Sequence, residues 1–270
     1  MSLVNTSWLE KNLDKVKIID CSWHMPQKKR SGLKEYTKEH IPNAIFFDLD
    51  KNSKQDTILP HMLTNLKSWE KILSDMGIEN NDEIVIYDNS DVISSCRCWF
   101  NLIYFGHSPR LIHVLNGGFK KWKIESKIIN NTLVAIKKSN YKASEIKVLV
   151  KNKKEIDENV SNNEFNIIDA RSIDRFEGKI PEPRKGLRSG AIKGSFCLPF
   201  SEIINDDHTF ISKDKILEKF KSTNFDEKKD VVFSCGSGVT ASVLALAYSL
   251  INAKYMPTIY DGSWSEYGKH

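Results

Sequence analysis

The feature that most constrains this chain is an internal repeat. Lys17-Ile-Ile-Asp20-Cys-Ser is answered by Asn166-Ile-Ile-Asp169-Ala-Arg at an offset of 149 residues. His40-Ile-Pro-Asn-Ala-Ile-Phe-Phe47 pairs with Ala191-Ile-Lys-Gly-Ser-Phe-Cys-Leu198 at 151, and Glu83-Ile-Val-Ile-Tyr-Asp88 with Asp230-Val-Val-Phe-Ser-Cys235 at 147. Val114-Leu-Asn-Gly-Gly-Phe119 and Ile259-Tyr-Asp-Gly-Ser-Trp264 follow at 145. Matches in constant order at a nearly constant offset mean tandem copies of one unit. The boundaries expected are an N-terminal domain over 1–130, a polar linker over 131–144 and a C-terminal domain over 145–270.

Each copy alternates short apolar runs, such as Ile84 to Tyr87 and Val231 to Phe233, with longer helical patterns. That alternation predicts βαβ units, so the fold expected is α/β, two domains each built on a parallel sheet flanked by helices. Gly238 to Ala253 is apolar on nearly every face and reads as a buried helix. Cys235 therefore sits at the carboxyl end of a strand, in a loop that opens into a helix N-terminus, where open parallel sheets place their ligands.

Unpaired backbone N–H groups and the positive end of the helix dipole both favour a thiolate there. In Cys235-Gly236-Ser237-Gly238-Val239-Thr240 the glycines let successive amides converge on one point, a cradle for an anion beside a nucleophile. A buried, inert cysteine beside a tight turn is the alternative reading. A phosphatase needs Cys-x5-Arg, and six residues after Cys235 stands Ala241. A papain-like hydrolase needs a histidine partner, and the second half offers only His208 and His270. Sulfur transfer asks only for a thiolate and a cradle that holds the persulfide.

Composition narrows the partners. Forty Lys and Arg against 35 Asp and Glu give a mild +5, spread along the chain, so no nucleic acid is expected. The longest uncharged apolar run, around Val243 to Ile251, is too short for a bilayer, and Glu10, Lys11, Asp14 and Lys15 argue against an export signal. No membrane association is expected, and the five cysteines read as free thiols of a cytoplasmic protein. His and Cys never cluster at ligand spacing, so neither a metal nor another cofactor is expected. Cys96-Arg-Cys98 is too closely spaced for a redox or zinc pair and reads as core packing. Of seven arginines, Arg171, Arg175, Arg184 and Arg188 fall within eighteen positions. Such a cluster either grips an oxyanion through planar forks or forms ion pairs with Glu177 and Glu182.

The chain resembles the tandem-domain rhodanese superfamily along nearly its whole length. The resemblance rests on His40-Ile-Pro-Asn-Ala-Ile-Phe-Phe-Asp-Leu-Asp50, Leu59-Pro-His-Met-Leu63, Arg175-Phe-Glu-Gly, Pro181-Glu-Pro-Arg184 and Tyr260-Asp-Gly-Ser-Trp-Ser-Glu-Tyr-Gly268. Its loop is similar to that of the 3-mercaptopyruvate sulfurtransferases. Thiosulfate-using relatives carry Arg and Lys where Gly236 and Ser237 stand here. The resemblance implies sulfur transfer from 3-mercaptopyruvate through a Cys235 persulfide to cyanide or to a thiol such as thioredoxin, with release of pyruvate. It implies that Arg175 and Arg184 bind the donor's carboxylate and ketone, with Gly236, Gly238, Val239 and Thr240 lining the cradle. Asp50, His61 and Ser237 would form a proton relay, the first two brought to an interdomain cleft by the N-terminal domain. His61, between Pro60 and Met62, reads equally as a packed interface histidine.

At the position of Cys235 the first half has Asp88, so that domain is expected to be silent. Gly190-Ala-Ile-Lys-Gly194 replaces the family's Gly-His-Ile-Pro-Gly, and local loosening is expected there. Thiosulfate sulfurtransfer and a noncatalytic sulfur-carrier or binding module remain the alternative functions.

Overall fold

The computed structural model describes residues 2–269. Among the described residues, ten strands form two five-stranded sheets, and every strand pair is parallel. The first sheet holds β1 (Leu3–Val4), β2 (Lys17–Asp20), β3 (Ala44–Phe46), β4 (Ile84–Tyr87) and β5 (Ile112–Leu115). The second holds β6 (Val150–Lys151), β7 (Asn166–Asp169), β8 (Phe196–Cys197), β9 (Val231–Ser234) and β10 (Ile259–Tyr260). Their orders, β1-β5-β4-β2-β3 and β6-β10-β9-β7-β8, are the same topology twice, as the repeat requires.

The strands are short and apolar because both faces are covered. β4 and β9 are buried at every position. Trp69 packs beside Phe47 and stacks on Phe105 in the first half, while Ile156, Ile167, Val232, Tyr260 and Trp264 form a core cluster in the second. The helix predicted from Gly238 to Ala253 runs Val239–Ile251, and Val239, Ala241 and every residue from Ser242 to Ala247 are buried in it. Each large aliphatic side chain there contributes about 1.5–3 kcal/mol of burial, and the alanines let neighbouring backbone approach closely. No described helix is long and apolar enough to cross a membrane.

The chain divides into two compact units with interleaved sequence. The first comprises residues 2–55, 63–146 and 206–209; the second comprises 56–62, 147–205 and 210–269. Residues 131–144, read from sequence as a linker, are counted within the first unit. There Tyr141 is buried, its ring stacked at 5.8 Å on His107, and the Ser139 amide donates to the Ser74 carbonyl. The segment 56–62 corrects a second expectation: it carries His61 into the second unit.

In both sheets the chain winds outward in opposite directions from a central pair, β2 with β4 and β7 with β9. A crevice opens at the carboxyl ends of such a pair. In the second unit those ends are Asp169 and Ser234, which are paired in register, and the next residue after Ser234 is Cys235.

Candidate active site

Cys235 is only 2 % exposed, and three consecutive residues hold its backbone. Its amide donates to Ser263 Oγ at 3.2 Å, its carbonyl accepts from the Trp264 amide at 2.9 Å, and the next carbonyl, Gly236, accepts from both the amide and the hydroxyl of Ser265. Ser263 adopts φ 48°, a left-handed conformation unusual for serine, and passes its own hydroxyl proton to the Tyr260 carbonyl at 2.8 Å. These contacts were not anticipated from sequence. Their signal was the repeat itself, since Ser263 stands where the first half has Gly118.

Beyond the cysteine, Gly238 takes φ 77° and starts the helix at Val239, where the first amides have no intrahelical acceptor. Gly236 needs no such conformation. A Cβ there would lie 3.3 Å from Arg175 Nη2 and 3.5 Å from Arg184 Nη1, in contact with the ends of two long side chains. Two guanidiniums therefore face the loop directly over Gly236. Val239 is buried, whereas Gly236 and Thr240 are partly exposed.

The arginine cluster resolves into two roles. Arg171 is fully buried, gripping the Asp169 carboxylate, with a further bond to Glu182 at 2.8 Å. Arg171 and Arg188 lie on the Trp264 indole, each 4.5 Å from the ring centroid, so they brace the residue whose amide holds Cys235. These two are structural. Arg175 points to Gly236 yet already gives Nε and Nη2 to Glu182, at 3.1 and 2.6 Å. Arg184 Nη2 approaches Ser237 Oγ at 3.4 Å. The ion-pair reading thus holds for Arg171 and Arg175, through Asp169 and Glu182, and Glu177 pairs with Lys179 instead.

His61, buried and at φ 59°, shares a 2.9 Å hydrogen bond between its Nδ1 and Ser237 Oγ. A histidine does reach the cysteine loop, from a part of the sequence outside the second half. Asp50 belongs to the first unit, where its Oδ2 accepts from Trp23 Nε1 at 2.9 Å.

Three other thiols are held away from the thiolate form. Burial pushes Cys21 and Cys96 well above the usual thiol range and Cys197 up to about 12. Cys96 and Cys98 are completely buried in the helix Ser95–Tyr104, as their spacing suggested. The segment expected to loosen is pinned: Arg171 Nη2 donates to the Gly190 carbonyl at 2.8 Å, and Ile192 is buried.

The chain matches the Rhodanese-like domain family over residues 5–125 and 152–270. It belongs to the rhodanese family. It is 35% identical to thiosulfate/3-mercaptopyruvate sulfurtransferase 1, mitochondrial, of Arabidopsis thaliana, over 98% of this chain and 75% of that protein. Identity to the 3-mercaptopyruvate sulfurtransferase of Mus musculus is 33%, over 98% of this chain and 91% of that one. The crystal structure of the 3-mercaptopyruvate sulfotransferase SseA from Escherichia coli superposes with a TM-score of 0.88 at 29% identity, covering 98% of this chain and all of that one. The rhodanese fold thus accounts for both halves of this chain.

Proposed function

We propose that this rhodanese-family protein is a sulfurtransferase that takes sulfur from 3-mercaptopyruvate on Cys235, releases pyruvate and passes the sulfur to a thiol. The observation that carries this reading is the second-unit loop itself. A cysteine stands at a helix mouth, its backbone fixed by Ser263, Trp264 and Ser265, with Arg175 and Arg184 over the neighbouring Gly236.

The chemistry follows from those groups. The Cys235 thiolate attacks the donor sulfur; the new S–S bond forms as the donor C–S bond breaks, leaving Cys235 as a persulfide and the organic fragment as the enolate of pyruvate. Arg175 and Arg184 meet the donor carboxylate and the oxygen on which enolate charge grows. The proton carried on the transferred sulfur is delivered to the enolate carbon, a movement assigned here to the Ser237 hydroxyl, with its 2.9 Å bond to His61 as support. Ser237 Oγ also accepts from the Arg184 guanidinium at 3.4 Å. Asp50 is assigned to the same relay by family resemblance. An acceptor thiolate then attacks the outer sulfur and regenerates Cys235 as thiolate; reduced thioredoxin has the chemistry required, as does cyanide in an assay. A reducing cytoplasm suits a cycle in which every intermediate is a thiol or persulfide. The first unit supplies no nucleophile, since Asp88 occupies the matching position.

Gly236 and Ser237 favour 3-mercaptopyruvate over thiosulfate because the loop adds no cation of its own for a second negative charge. Parallel assays of pyruvate release from 3-mercaptopyruvate and of thiosulfate turnover, on one preparation, test this. The expected result is a kcat/KM for 3-mercaptopyruvate at least about tenfold higher, and equal or reversed values refute the assignment.

A further inference from the structure

Glu182 contacts both a structural arginine, Arg171, and an arginine that faces the loop, Arg175. Its side chain is 2 % exposed, Oε1 accepts from Arg171 Nη1 and Arg175 Nε, and Oε2 accepts from Arg175 Nη2. Arg171 does not need Glu182 for neutrality, because Asp169 already takes it through Nε and Nη2. The buried negative charge of Glu182 is therefore matched chiefly to Arg175. Arg175 reaches Gly236 with its charge compensated and its fork fixed by two bonds.

We propose that Glu182 sets the donor charge the Cys235 loop accepts, holding Arg175 as a directional donor of hydrogen bonds while withholding its full positive charge. A monoanionic donor with one carboxylate is served by such a site. A dianion such as thiosulfate gains more than a monoanion does from each cation whose charge is not already compensated. Selectivity then comes from an acid behind the pocket as well as from the residues after the cysteine. The inference rests on the sulfurtransferase reading above.

Replacement of Glu182 by Gln keeps the shape and one acceptor for Arg175 but removes the charge. In Glu182→Gln the ratio of kcat/KM for thiosulfate to that for 3-mercaptopyruvate is expected to rise about tenfold, equivalent to about 1.4 kcal/mol. Glu182→Asp keeps the charge and shortens the reach, so its ratio is expected to stay within about threefold of the unmodified protein even where both rates fall. In a Cys235→Ser background, calorimetric binding of thiosulfate against pyruvate is expected to show the same shift on adding Glu182→Gln. That arm needs no turnover, so it decides the role of Glu182 even if the unmodified protein releases no pyruvate and the sulfurtransferase reading fails. An unchanged ratio in folded Glu182→Gln, or an equal shift in Glu182→Asp, overturns the proposal. If Glu182→Gln does not fold, the unmodified protein decides at low ionic strength: pyruvate binding at least as tightly as dianionic oxalate supports the proposal, and oxalate binding tenfold more tightly overturns it.

Discussion

The loops after β4 and β9 occupy the same place in the same topology and solve the same electrostatic problem differently. In the first unit seven residues, Asp88 to Ser94, lead to the helix Ser95–Tyr104. The Asp88 carboxylate turns back to accept from the Ser90 and Ser95 amides, at 2.8 and 2.9 Å. The unit fills its own helix mouth with its own acid. In the second unit four residues, Cys235 to Gly238, make the same connection, and the helix mouth is left to the cysteine and what binds beside it. The clamp behind each loop is unchanged: the Phe119 amide donates to the Asp88 carbonyl at 2.9 Å, as the Trp264 amide does to Cys235. One scaffold thus gives a closed loop where an acid is built in and, under the proposed function, an open one where the anion arrives with the substrate.

The sharpest way to break this comparison exchanges the two residues' roles. Cys235→Ser is expected to lower transfer by at least about three orders of magnitude with the fold intact, because serine keeps the size and lacks a thiolate at neutral pH. Mass spectrometry after donor alone should find one added sulfur on the Cys235 peptide of the unmodified protein and none in the variant. Asp88→Cys is expected to gain no transfer and to lose about 1–3 kcal/mol, since two buried amides lose their acceptor. Sulfur recovered at position 88 in that variant sinks the account of the silent loop.

A smaller effect separates the two arginines over Gly236. Arg→Lys at either position replaces a planar fork by a point charge, and about a 10- to 100-fold loss of kcat/KM is expected. The ranking is the informative part. Arg184→Lys should cost more activity, because Arg184 also touches the loop hydroxyl of Ser237; Arg175→Lys should cost more melting temperature, because it leaves buried Glu182 poorly matched. Steady-state kinetics and thermal melts on both variants give the two orders independently, and identical ranking in both measurements removes the division of labour.

The clamp can be tested at its matching hinge positions. Gly118 has φ 52°, and a Cβ there would lie 2.5 Å from the Asp88 carbonyl oxygen, so Gly118→Ala is expected to destabilise by about 2–3 kcal/mol. Ser263 holds the equivalent conformation at the cost of some strain and returns a hydrogen bond to the Cys235 amide. Ser263→Gly eases the backbone while removing that bond, so stability should change by less than about 1 kcal/mol. Denaturant titrations of the two variants compare them directly.

Much of this was legible before any coordinates. The repeat carried the doubled sheet, and Cys235 with its glycines announced a strand, a loop and a helix mouth, because those rules act over a few residues. What could not be read was which distant segments share a unit. His61 lies 176 positions from Ser237, and only tertiary packing places 56–62 in the second unit. The arginine cluster was visible as composition, but its division depended on which guanidinium found Asp169 and which found Trp264, a matter of geometry. Gly236 looked like a turn residue and instead lies beneath two guanidiniums, which a Cβ there would touch. Ser263 was hidden because it breaks the rule that left-handed positions take glycine.

The last comparison is read through pH and concerns the acids that end β2 and β7. Asp169 meets Arg171, two residues on; Asp20 meets Ser22 there, whose amide donates to it at 2.9 Å. Burial raises the Asp20 pKa from 3.8 to about 7, with hydrogen bonds from Ser22 and Tyr87 opposing and the Asp88 charge adding to the rise. The folded state therefore holds this proton more tightly than the unfolded chain. Below about pH 4 both states are protonated and nothing is lost. As pH rises toward 7 the unfolded carboxyl ionises first, so stability falls, and the loss is complete above pH 7, with an upper bound of about 4 kcal/mol. Asp20→Asn stays neutral throughout. Its stability relative to the unmodified protein should be near parity at pH 4 and should climb to an advantage of about 1–2 kcal/mol at pH 8. Asp88 also carries a raised pKa, chiefly from burial, and is present in both proteins, so the difference reports Asp20 together with its coupling to Asp88. Asp169→Asn should have the opposite sign, since it strips a buried arginine of its main partner. Melting curves of both variants between pH 4 and 8 settle the contrast, and a constant offset for Asp20→Asn across that range removes the buried neutral acid from the first unit.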